Sequence, residues 1–94
     1  MTSDEGSKPG DLPGIDFSTL VLSLATSAMV HMGVVPNPDG GAQEKDLPLA
    51  HQTIDTLEML QHKTRNNLTD EEAKLLQTVL YELRMSYVKA RKPA

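Results

Sequence analysis

The sequence predicts an all-α fold of three helices, at about 16–33, 47–63 and 69–90. Apolar residues recur at helical spacing in each of these segments, N-cap residues stand at their starts, and Pro- and Gly-rich stretches separate them. No run reads as a strand, and no segment repeats another. The most informative segment runs from Phe17 to Pro38, where there is no Asp, Glu, Lys or Arg. In a chain of 94 residues such a stretch demands a cover.

Length and composition narrow what the cover can be. A chain this short makes one domain, for which residues 16–90 are the candidate, and small domains are marginal without a staple or a partner. The chain has no cysteine, which removes disulfides, thiolate nucleophiles and thiolate zinc sites. Oligomerisation is the remaining aid. The formal net charge of -4 argues against a nucleic-acid partner, since neutralising phosphates needs a basic face. Residues 1–15, rich in Gly, Pro, Ser and acids, read as a disordered tail, and 91–94 as a short basic one. Asp4, Glu5 and Asp11 ahead of the apolar stretch are unlike the basic start of a secretory signal, so the expectation is a cytoplasmic protein.

Asp16 is placed to cap the first helix and Gly33 to stop it. Helical spacing assigns Phe17, Leu20, Val21, Leu24, Ala28 and Met32 to one greasy face, with Thr19, Ser23, Thr26, Ser27 and Val30 opposite. Thr19, Ser23 and Ser27 form an i, i+4 ladder of small side chains along which another backbone can approach. Residues 34–45 (VVPNPDGGAQEK) carry turn chemistry. Asp46 then caps the second helix, with Pro48 tolerated in its first turn. Its core stripe is Ala50, Ile54, Leu57 and Leu60 or Gln61.

The third helix has the sharpest start. Thr69 and Glu72 compose a capping box, Leu68 and Ala73 a hydrophobic staple, and Asp70, Glu71 and Glu72 load the first turn with acid. Leu76, Leu80, Leu83 and Tyr87 form its stripe. The short Thr64–Leu68 connection makes helices two and three an antiparallel hairpin, and within it Asp55 and Arg84 are expected to meet as a partly buried ion pair. Gln52, beside the helix-two stripe, is expected to be a buried hydrogen-bonding residue.

These residues resemble a known family. The set Asp46-Leu47-Pro48-Leu49-Ala50, Gln52, Ile54-Asp55, Leu57, Lys63-Thr64, Asn67-Leu68-Thr69, Leu80 to Arg84 and Tyr87-Val88 is similar to the bacterial domain of unknown function 1844. Phe17 to His31 resembles its opening helix, so the likeness spans residues 16 to 88. It implies a small bacterial cytosolic helical protein and imports no activity. The place of His51 more often holds Lys or Arg in that family, which speaks against a metal role there.

Three functional classes compete. The reading favoured by the residues is a non-enzymatic homo-oligomeric module, a dimer with helix one in the interface through Leu20, Ser23, Leu24 and Ser27, and open to an unidentified protein partner. A first alternative attaches the uncharged helix 17–33 to a membrane; its five Ser or Thr residues and the lack of flanking cations speak against it. A second alternative is metal or small-molecule binding by His51, Asp55, Glu58 and His62, aligned on one side of helix two. Spread over three turns, about 16 Å, these four cannot share one ion. No catalytic motif and no cofactor fingerprint is present in the sequence. His31 suits the negative end of helix one, and the Asn67-Leu68-Thr69 sequon is explained by the need for Thr69 as a cap.

Overall fold

The computed structural model describes residues 14–36 and 45–91. Most of the expected tails, residues 1–13 and 92–94, lie outside the described residues, as does the middle of the first connection, 37–44. The described residues form three helices and no strand: α1 (Phe17–Met32), α2 (Leu47–Lys63) and α3 (Asp70–Arg91).

Each boundary has a local cause. The Asp16 carboxylate accepts the Thr19 N–H at 2.7 Å, and that of Asp46 accepts the Leu49 N–H at 3.0 Å, so each satisfies one of the orphan donors of a first turn. Gly33 ends α1 with φ +80°. The Val34 N–H reaches the Met29 carbonyl at 3.1 Å and the Gly33 N–H that of Val30 at 3.0 Å, the paired bonds of a Schellman motif. At the start of α3 the Thr69 N–H donates to Glu72 Oε1 at 2.9 Å while the Thr69 hydroxyl accepts the Glu72 N–H at 3.1 Å. Between α2 and α3 the chain turns through Asn66 at φ +68°, a left-handed position that asparagine tolerates better than most residues.

All three helices pack on one another. The Asp46 N–H donates to the His31 carbonyl at 2.7 Å, so the start of α2 is pinned to the end of α1. Pairs His51 with Tyr87 and Glu58 with Arg84 show that α2 and α3 run antiparallel. The core consists of Val21, Ala25, Ala28 and Met32 from α1, Ala50, Ile54 and Leu57 from α2, and Leu76, Leu80 and Leu83 from α3. No polar or charged side chain is buried among the described residues.

The buried stripe of α1 keeps Val21, Ala28 and Met32 of the expected face, with Phe17 and Leu24 packed against the core, but is turned slightly from it. Ala25 faces the core, whereas Leu20 is 40% exposed and Leu24 half-buried. Alanines at 25 and 28 let the α1 backbone lie close against its two neighbours, and the bulkier leucines are turned to the flanks. Gln52, expected to be buried, is exposed, with its backbone carbonyl accepting the Thr56 hydroxyl at 2.9 Å.

Candidate interaction surface

With Val21, Ala25, Ala28 and Met32 turned inward, α1 presents to solvent a face on which no residue is charged. Thr19, Ser23 and Thr26 are exposed along its middle, Leu22 is 50% exposed on one side, and Leu20 lies on the other. Thr19, Leu22, Ser23 and Thr26 together line a shallow hollow. Of the four residues expected at a seam, Leu20 and Ser23 are exposed, and Leu24 and Ser27 are half-buried toward one edge.

Leu22 and Thr26 also border a second feature, a groove of about 240 Å³ between α1 and α3. Ala25 and Met29 from α1 and Val79 and Leu83 from α3 form its apolar walls, and Glu82 is the one charged residue lining it. Periodicity read one helix at a time does not reveal this groove, because its two walls, Leu22 to Met29 and Val79 to Leu83, come from separate helices far apart in the sequence.

The polar side of the hairpin is arranged differently from expectation. Arg84 donates to Glu58 Oε2 at 2.7 Å, so the guanidinium takes Glu58 in place of Asp55. Asp55 sits instead one turn from His51, whose Nδ1 lies 3.1 Å from its carboxylate. Both pairs are about half exposed, so the pairing contributes little Coulomb energy. The physical reason for the exchange is rotational: with Ile54 and Leu57 in the core, Glu58 points at α3, and Asp55 falls further round α2.

The same cleft, about 410 Å³ and lined by His51, Asp55, Glu58, Arg84, Tyr87 and Arg91 among others, holds an aromatic contact. The His51 and Tyr87 rings meet edge to face with centroids 5.4 Å apart, and the Arg91 guanidinium lies 5.9 Å from the Tyr87 centroid. The i, i+4 spacing of Tyr87 and Arg91 is the sequence signal for the latter. The ladder His51, Asp55, Glu58, His62 is thus divided among separate partners: Asp55 pairs with His51, Glu58 with Arg84, and His62 Nδ1 lies 3.3 Å from Arg65. Among the described residues no three His, Asp or Glu side chains gather where they could hold a metal ion.

The Asp16 carboxyl is held below the usual aspartate range, first by the backbone N–H of Thr19 and then by the Thr19 hydroxyl.

A family model described as a domain of unknown function (DUF1844) matches residues 14–89. The chain belongs to the DUF1844 family. The match covers α1 and α2 entirely and α3 to within two residues of its end, so both the outer face of α1 and the α1–α3 groove lie within the DUF1844 region. The family carries no assigned activity. No curated protein and no solved structure matches the chain.

Within this DUF1844 chain no helix of the described residues is long and apolar enough to cross a membrane. That corrects the spanning form of the membrane alternative. The 16 residues of α1 extend about 24 Å, short of the roughly 30 Å hydrocarbon core, because Gly33 closes the helix before the uncharged stretch ends.

Proposed function

We propose that this chain is a small homo-oligomeric interaction module, a dimer whose seam is the outer face of α1. The single observation that carries the reading is that face: it is uncharged and exposes Leu20 and Leu22 beside the small hydroxyl residues Thr19, Ser23 and Thr26. A solvated helix surface ordinarily carries charge, as α2 and α3 do here with Asp55, Lys63, Lys74 and Glu82. A twofold pairing of α1 with α1 lets one uncharged patch cover its equal, and small side chains at the crossing allow close approach. In this reading the module assembles in the cytoplasm and works by contact rather than by a reaction. Its cysteine-free fold is held by packing, in keeping with a compartment where disulfides are rare.

The test is the mass in solution. Light scattering coupled to size exclusion at tens of micromolar is expected to give twice the mass of one chain. Ser23→Arg, which places a charge at the centre of the face without touching the core, is expected to give a monomer with unchanged helical content. A strict monomer for the unsubstituted chain refutes the module.

A further inference from the structure

We propose that the second copy seats on α3 as well as on α1, its α1 laying Leu22 into the groove between α1 and α3 and a hydroxyl against Glu82. This rests on the dimer reading above and specifies the surface it uses. A helix of 16 residues is about 24 Å long and, with side chains, roughly 10 Å wide, so the outward half of α1 offers about 480 Å² of accessible surface to a probe of about 1.4 Å radius. A specific, stable interface needs at least about 600 Å² on each partner. An α1-to-α1 contact therefore has to spread onto a neighbouring helix.

Continuity decides the direction. Leu22 and Thr26 belong both to the hollow on the outer face of α1 and to the wall of the α1–α3 groove, so the two features form one surface. Complementarity then names the occupant. The groove is apolar apart from the Glu82 carboxylate, and a carboxylate covered by a partner must receive hydrogen bonds. The outer face of α1 brings what is required: a half-exposed leucine for the apolar walls, hydroxyl donors at Ser23 and Thr26 for the carboxylate, and no second charge. In a twofold assembly residue i meets j wherever j meets i, so the same exchange occurs twice across the axis.

The absence of native cysteine makes the test direct. Two full-length chains, Thr26→Cys and Glu82→Cys, are kept separate because both positions line the same groove of one chain. After light scattering shows that each retains the mass of two chains, they are mixed under reducing conditions and oxidised. The 26–82 disulfide between chains is expected to form at least tenfold faster than one between Thr26→Cys and Gln52→Cys, a position exposed on α2. Dimers in which 26–82 linkage is no faster than 26–52 overturn the α3 contact and leave the α1 seam standing. A monomeric unsubstituted chain overturns both, and a partner of another kind then covers the groove.

Discussion

The exchange of partners at Arg84 yields a prediction whose size differs from what the sequence suggests. Arg84→Ala, Glu58→Ala and the double variant form a double-mutant cycle. Two unit charges about 4 Å apart attract by roughly 1 kcal/mol in water and about 4 kcal/mol at an effective dielectric constant of 20. Here the Arg84 and Glu58 side chains are 49% and 47% exposed, so water governs, and fixing two long side chains offsets part of the gain. The expected coupling is about 0.5 kcal/mol, falling as salt is raised from 0.1 M toward 1 M and the screening length shrinks from about 10 to 3 Å. The single Arg84→Ala loss is larger than the coupling, because the arginine stem lines the α2–α3 cleft with Ile54 and Val88. Urea unfolding followed by helical circular dichroism, at one fixed protein concentration, reads a coupling of about 0.5 kcal/mol as a difference of about 0.2–0.5 M between midpoint shifts. A parallel cycle with Asp55→Asn is expected to give no coupling to Arg84. If the Asp55–Arg84 coupling exceeds that of Glu58–Arg84, the rotational setting of α2 described above is wrong.

Other perturbations test the helix ends. Thr69→Ala removes the acceptor for the Glu72 N–H and should cost about 1 kcal/mol in the same urea assay, with Thr69→Ser recovering most of it. Gly33→Ala forces a side chain into φ +80°; since its Cβ would meet Lys45 only at ordinary contact distance, 3.7 Å, the expected loss of about 1–2 kcal/mol is conformational, and Gly33→Asn should lose less. For Asp16 the sign follows from its lowered pKa: the charged cap stabilises the fold at pH values above the ordinary aspartate pKa, and this contribution disappears as the pH falls through the lower folded value. Asp16→Asn keeps a capping side chain that does not titrate, so an acid titration of helicity should lose that segment of its pH dependence while neutral-pH helicity stays unchanged.

Much of the fold is legible in the sequence because its determinants are local. The observed helices begin and end within one residue of the expected bounds since Asp16, Gly33, Asp46 and the Thr69–Glu72 box act on backbone groups three or four positions away. The stripes Ala50–Ile54–Leu57 and Leu76–Leu80–Leu83 are equally clear, because on an amphipathic helix the polar side fixes which side is buried. On α1 that guide fails. With no charge on any side, periodicity fixes its rotation only loosely: Leu20, assigned to the greasy face, lies outside the core, and Ala25, assigned to neither face, lies within it.

By itself, then, the sequence determined three capped helices, their hairpin connection, and one uncharged segment in need of a cover. Only the tertiary structure decided how α1 is turned, which acid Arg84 takes, and that a groove runs beside the uncovered face. Each of these depends on the angle at which one helix meets another. That angle is set by packing side chains from distant segments into a common core, where the small Ala25 and Ala28 admit close approach and the leucines on either side do not.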